Sequence, residues 1–458
     1  MLWLKLLAGL LAFTYLSFLI LKYKRLLPYV IILNLVYFYI NGSTEFKVGS
    51  VNIFAWDIIF LFCVINLMYR FFIEGVSFDA PTKTIVTLLL AYLAYIEFSE
   101  IYNFTFSPYR HAVDDLIRTS IANLYPLIAL TFITNLNREN FKQFLHFVAL
   151  CGVLLAVWTI VKEVFDLGGG FKTSSGTVRR MRGEVILIVQ LALIYFLFSA
   201  GTKPLQRYLA ISLTAVAIAL IGHRSGFLSL AAIILLYLIF IARHGELGRV
   251  LITMTPVAAL GGIVLLGIVV SGKVESVTKF VTRAEDTFDV ENQTSEGRLF
   301  KWEWALRSTW QNPLGGTKLN LLPNWYGNYT LQANYGYLST AEAHQRYIFL
   351  QGKLDPWPPH NMFINIASKN GLIALLLFML FFLAILRKIS ADSTPREKFL
   401  ELSGIAATDN FLFFNNHHSY DAATQLFLAI LVIPVLYSGG SRLAQEIKRP
   451  VLPLPGPV

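Results

Sequence analysis

The chain has 458 residues, of which 55% are hydrophobic and only 14% charged; its formal net charge is +10 and its mean hydropathy +0.58. A water-soluble domain carries about 25% charged residues, so this composition excludes an ordinary solvated surface. The Lys and Arg residues sit in short connections between apolar runs, which argues against nucleic acid and for anionic lipid headgroups or an anionic substrate.

A spanning helix needs about 20 mostly apolar residues. Such runs are read near 2–21, 26–41, 51–70, 84–102, 119–136, 142–165, 184–200, 206–222, 226–242, 250–271 and 361–386, and a polar-flecked pair near 400–414 and 423–438 closes the chain. The expectation is an all-α polytopic membrane protein with about 12–13 transmembrane helices. Its parts are transmembrane helices over 1–271, a large loop over 272–360, C-terminal transmembrane helices over 361–440 and a tail over 441–458. The first run lacks a clear small-residue cleavage site, so no cleavable leader is read. The 36 Phe and 21 Tyr suit lipid-facing helices and interfacial belts.

The basic segments Lys22 to Arg25, Arg138 to Lys142, Lys203 to Arg207, Arg243 to Arg249 and Arg387 to Lys398 alternate with the spans so as to fall on one side. Positive charge marks the cytoplasmic side, and Arg442, Lys448 and Arg449 join it if the last two runs form a hairpin. Two basic turns break the pattern on the outer side: Arg110, His111 and Arg118, and the run from Lys172 to Arg182 containing Arg179 and Arg180. The second is read either as a retained anion contact or as a chance positive loop.

Residues 272–360 form the longest polar stretch, too long and too patterned for a connector. Leu299, Trp302, Leu306 and Trp310 recur at helical spacing behind Ser295, a fitting N-cap. Asn312-Pro-Leu-Gly-Gly316 reads as a helix stop. The section 324–337 is rich in aromatics, including Trp325, Tyr326 and Tyr329.

Charged groups at a membrane are expensive and so are functional candidates. Arg224, in Gly222-His223-Arg224-Ser225-Gly226, lies between two spans with almost no loop. It either forks onto a phosphate or snorkels to headgroups as an anchor. Arg298, in Ser295-Glu296-Gly297-Arg298, opens the loop helix, where anions are favoured; the alternative is a solvated surface arginine. His360 follows Pro358-Pro359 and opens a spanning helix, a setting that favours neutral imidazole and hence a general base; the alternative is a structural interface histidine. Asp57, Glu97, Glu100, Glu184 and Asp409 in or near spans are weaker signals. Adjacent His417 and His418 diverge by about 100° on a helix and make a poor metal site. Cys63 and Cys151 build neither a disulfide framework nor a metal site. Nothing is drawn from the Asn103, Asn292 and Asn328 sequons.

Together, His223-Arg224-Ser225-Gly226 opening a span, Gly297-Arg298 with Trp302 and Ala305, Asn312-Pro-Leu-Gly-Gly316 and the string from His360-Asn361 to Gly371 resemble the O-antigen ligase and O-antigen polymerase superfamily. The resemblance covers roughly 184–387, with the N-terminal spans matching by hydropathy alone. One departure is Ala374, where the ligase pattern often has Gly, Thr or Tyr.

The resemblance implies a fold like that of the GT-C membrane glycosyltransferases, with a partly helical periplasmic loop, in a bacterial inner membrane. It implies a glycan donor on undecaprenyl diphosphate, a lipid A-core or other glycan acceptor, no nucleotide sugar and no metal. Arg224 and Arg298 would hold the diphosphate. His360 would deprotonate or position the acceptor hydroxyl for inverting attack. Arg179, Arg180, Arg182, His223, Asn361, Trp325 and Tyr329 are candidate substrate contacts. Ligase and polymerase use the same donor and both readings stand, with the His–Asn–Gly string closer to the ligase. A transporter of anionic solutes is a third reading, disfavoured because no internal repeat is found and the charges cluster at one face.

Overall fold

The computed structural model describes residues 14–41, 45–48, 51–76, 78–106, most of 117–165, 171–173, 176–178, 185–198, 203–221, 224–243 and 361–392, with isolated positions at 255–266, 302–314 and 402–403. After a helical stretch over 14–22, a 3₁₀ turn at Lys24–Leu26 leads into α1 (Leu27–Asn41). Then follow β1 (Glu45–Val48), β2 (Val51–Phe54), α2 (Ala55–Met68) and a π turn (Tyr69–Ile73). Next come α3 (Ala80–Phe106), a 3₁₀ turn at Tyr125–Leu127, α4 (Ile128–Asn135) and α5 (Arg138–Phe165). The remainder is β3 (Phe171–Thr173), β4 (Gly176–Val178), α6 (Val185–Phe198), α7 (Pro204–Ile221), α8 (Arg224–Arg243) and α9 (Met362–Asp392).

Three of these helices, over Ala80–Tyr102, Gln143–Lys162 and Met362–Lys388, are long and apolar enough to cross a membrane, and four shorter ones are apolar. Each of the three long ones buries one stripe and exposes another that is just as apolar. On α5, for instance, Val148, Leu155 and Ala156 are buried while Leu150, Leu154 and Val157 are exposed. In water such surfaces would aggregate; against lipid they cost nothing. The class is that of a helical membrane protein.

The all-helical expectation needs one amendment. Two antiparallel hairpins occur, β1–β2 with Val48 opposite Val51 and β3–β4 with Thr173 opposite Gly176. The first takes residues 51–54 from the span read at 51–70, so α2 starts at Ala55. Gly49-Ser50 and Ser174-Ser175 link the strands, and two-residue links favour tight hairpins. The second hairpin takes in the first part of the basic turn, with strands at 171–173 and 176–178. The run read as one span at 119–136 holds Pro126, and among its described residues it divides into the Tyr125–Leu127 turn and the short α4.

One bundle is built on α5, α6 and α7, with α1 and α4 against one side and α8 against α6 and α7. α6 is apolar except for Gln190 and nearly all buried, as suits a central helix. A Cβ added to Gly152 of α5 would come 2.5 Å from the Ile188 carbonyl oxygen and 2.6 Å from the Ala192 Cβ. Glycine therefore lets two backbones approach closely, the usual device between membrane helices. His146 meets the Tyr195 hydroxyl at 3.2 Å, so α5 and α6 run antiparallel. Arg207 of α7 donates to the Phe196 and Leu197 carbonyls at 2.8 and 2.7 Å, satisfying orphan acceptors at the α6 C-terminus.

α3 and α9 pack against each other antiparallel. At one end Lys388 Nζ donates to Asp79 Oδ2 and Thr82 Oγ1, each at 2.9 Å; at the other Lys369 pairs with Glu100 at 3.0 Å. Asp79 and Glu100 lie about 30 Å apart along a helix at 1.5 Å per residue, which is the thickness of a bilayer's hydrocarbon core. Tyr92 and Phe378 meet between them with ring centroids 5.3 Å apart. Near the Asp79 end, Glu74 pairs with both Lys24 and Arg70, and Arg70 donates to the Thr134 carbonyl. Segments that the charge pattern groups on one side thus meet at one end of the molecule.

Candidate functional site

α9 opens with a cap. The Asn361 side-chain oxygen accepts from the Ile364 N–H at 3.1 Å, which satisfies a first-turn donor. Asn361 is buried, so this candidate substrate contact also has a structural task. It sets where the helix begins.

The run read as one span at 361–386 is broken inside. Gly371 has φ +89° and ψ 172°, a region open essentially to glycine alone. The break releases the Leu372 N–H, which donates to the Pro313 carbonyl at 2.8 Å. A Cβ on Gly371 would lie 2.8 Å from the Leu314 carbonyl oxygen and 2.9 Å from that of Pro313. The Tyr95 hydroxyl of α3 donates to the Leu314 carbonyl. Pro313 and Leu314 of one motif and Gly371 at the end of another, nearly 60 residues on, therefore form one joint. Glycine serves there because the backbone of another segment occupies the space of a side chain.

Beside the joint lies a polar cluster inside the α3–α9 contact. Glu100 and Lys369 form its ion pair, with side chains 2% and 19% exposed. Glu97 lies next to Ser120 and Asn123 and in the field of Glu100 and Lys369. Glu97 Oε1, Asn123 Nδ2, Asn365 Oδ1 and Asn370 Nδ2 make no hydrogen bond among the described residues. A buried polar atom left so costs about 1–3 kcal/mol. The cluster offers donors and acceptors together, a mixture suited to hydroxyl-rich groups and ill suited to a phosphate. Glu97 and Glu100 are weak signals in the sequence and Lys369 stands unremarked within the His–Asn–Gly string. Opposite charges at the matching ends of two spans would have pointed to the pairing.

Arg224 is the first residue of α8. α7 and α8 run antiparallel, since Tyr237 of α8 reaches Arg207 near the start of α7 at 3.4 Å. Arg224 therefore opens α8 at the far end from Arg207, the end at which α6 begins after the β3–β4 hairpin. Following the antiparallel helices from the Lys24–Glu74–Arg70 network, this is also the end of Asn361 and Glu100. Arg179, Arg180, Arg182, His223, Arg298, Trp325, Tyr329 and His360 lie outside the described residues, as do His417 and His418. Among the described residues no group of three or more His, Cys, Asp or Glu converges as a metal site would.

Trp302, Ala305 and Thr309 take helical conformation as the loop pattern anticipates, but the apolar stripe faces otherwise. Ala305 and Thr309 are buried, whereas Leu306 and Trp310 are exposed. Among the described residues the packed side carries Ala305 and Thr309.

Residues 209–379 match the family model described as O-antigen ligase. All four motifs that carry the resemblance fall within this stretch. No curated protein matches the chain.

Proposed function

We propose that the protein is an O-antigen ligase-type glycosyltransferase of a bacterial inner membrane, moving a glycan from undecaprenyl diphosphate to a lipid A-core or similar acceptor at the periplasmic face. The observation that carries this reading is the family match over 209–379, which contains Arg224, Arg298 and His360. The organisation it implies is transmembrane helices over 1–271, a periplasmic loop over 272–360, transmembrane helices over 361–440 and a cytoplasmic tail.

Arg224 and Arg298 hold the diphosphate. Its charge grows as the bond to the anomeric carbon breaks, and cations in a partly desolvated site stabilise that growth. His360 accepts the proton of the acceptor hydroxyl as its oxygen attacks the anomeric carbon, a contribution of about 10²–10⁴-fold. The carbon inverts and undecaprenyl diphosphate leaves; no metal is needed when two guanidinium groups carry the counter-charge. The Asn361 cap and the Gly371 joint support this reading by giving the helix behind His360 a defined start. Arg179, Arg180, Arg182, His223, Trp325 and Tyr329 contact the substrates.

The test is a gel of envelope glycolipids from a strain lacking the chain, beside strains complemented with wild type, His360→Ala or Arg224→Lys. The expected result is bare core with glycan accumulating on carrier lipid, restored by wild type alone. Lys fails at position 224 because it cannot fork onto a phosphate. A core bearing a single repeat, with the ladder lost, would make the protein the polymerase. Full transfer by His360→Ala would remove the histidine from the mechanism.

A further inference from the structure

Among the described residues, three large apolar ones in and just after the loop helix look away from the protein. Leu306, Trp310 and Leu314 are 53%, 83% and 69% exposed. Leu306 and Trp310 are four residues apart and share a helix face, and Leu314 continues the stripe in the bend that follows. Thr309 Oγ1 donates to the Ala305 carbonyl at 2.8 Å, and Ala305 and Thr309 occupy the packed side. Burying a large apolar side chain is worth about 1.5–3 kcal/mol, so a stripe of three calls for an apolar cover.

Its position says what the cover is. Pro313 and Leu314 seat directly on α9 at Gly371. Immediately beyond that joint α9 exposes Leu372, Leu376, Leu380 and Leu383, the face that a spanning helix turns to hydrocarbon. The Leu306–Trp310–Leu314 stripe thus adjoins a lipid-facing surface at its end, by the Glu100–Lys369 pair. That level is the membrane–water interface, where tryptophan is enriched because its ring is apolar and its N–H is not.

We propose that the helix carrying Trp302 to Trp310 is an interfacial helix, and that Leu306, Trp310 and Leu314 insert into the boundary between headgroups and acyl chains. The stripe anchors the long loop to the bilayer. The inference rests on the membrane reading of α9 and not on the proposed transfer.

The test uses the full chain in vesicles of phosphatidylethanolamine and phosphatidylglycerol. Trp310→Cys and, separately, Leu306→Cys carry a nitroxide; the native Cys63 and Cys151 are buried. Collision with oxygen, which partitions into lipid, is compared with collision with a water-soluble nickel chelate. The expected result at both positions is an oxygen-to-nickel ratio several-fold above that of a label on a water-exposed site, at shallow depth. Free collision with nickel would overturn the proposal, and shielding from both reagents would assign the stripe to a protein partner or a second copy. A check on the unaltered fold is quenching of tryptophan emission by lipids brominated near the headgroup, which should fall from wild type to Trp310→Phe. Equal quenching in the two would also overturn the proposal. Neither failure touches the proposed transfer, which is read from glycolipids.

Discussion

Gly371 and Gly75 both have positive φ, at +89° and +63°, yet their surroundings differ. Nothing lies within 4 Å of a Cβ added to Gly75, whereas at Gly371 the Pro313 and Leu314 backbone lies within 3 Å. Alanine at 75 meets only the left-handed penalty of about 1–2 kcal/mol. At 371 it meets backbone strain of about 1–3 kcal/mol and a collision that only moving the joint relieves. Gly371→Ala should therefore lower the melting temperature in detergent well beyond Gly75→Ala and impair glycan transfer. Equal shifts in the two variants would mean that the joint yields freely. The sequence marks Gly371 only as the end of a motif. Its φ and its neighbour are invisible there because both arise from a segment nearly 60 residues away.

At the scale of elements, α3 and α9 are held at both ends by charge. Burial works to raise the Asp79 carboxyl, but hydrogen bonds from Thr82 and Lys388 and the Lys388 charge outweigh it and hold the group below the usual carboxylate range. Lys388 is 1% exposed and Asp79 32%, so the pair falls between an exposed one, worth about 0–1 kcal/mol, and a buried one, whose rupture costs about 3–5. A depressed folded value means that this stability is complete above the unfolded carboxyl value, about pH 4, and is lost as pH falls through the lower folded value. Thermal melts of wild type and Asp79→Asn should differ most above about pH 4 and converge below it. A gap independent of pH would show that the Asp79 charge does not hold Lys388. The helices themselves are largely legible: α3, α5, α7, α8 and α9 fall within a few residues of the runs read from hydropathy. The hairpins and the Tyr125–Leu127 turn are not, because an apolar run looks alike whether it continues as helix or is cut short by pairing or a proline.

For the whole molecule, the two ion pairs bracket a bilayer's thickness, so the ends of α3 must lie on opposite sides of the membrane. Ile73 and Tyr102 are both exposed, one before α3 and one near its far end. Single cysteines placed there, in a chain whose native thiols are buried, should react with a membrane-impermeant maleimide from opposite faces of sealed vesicles. Labelling of both from one face would refute the span.

What the sequence by itself determined is the solvent and the inventory. A chain with so few charges must pass through lipid, and its four motifs fall within residues 209–379, which match the O-antigen ligase family model. These follow from composition and local order, which need no partner. Only the tertiary structure decided that Asp79 finds Lys388 and Glu100 finds Lys369, that the Pro313–Leu314 bend sits in the break at Gly371, and that Trp310 faces outward while Ala305 faces in. Each is a choice among partners with equal local credentials: opposite charge makes it for the ion pairs, and close backbone approach at a glycine makes it for the joint.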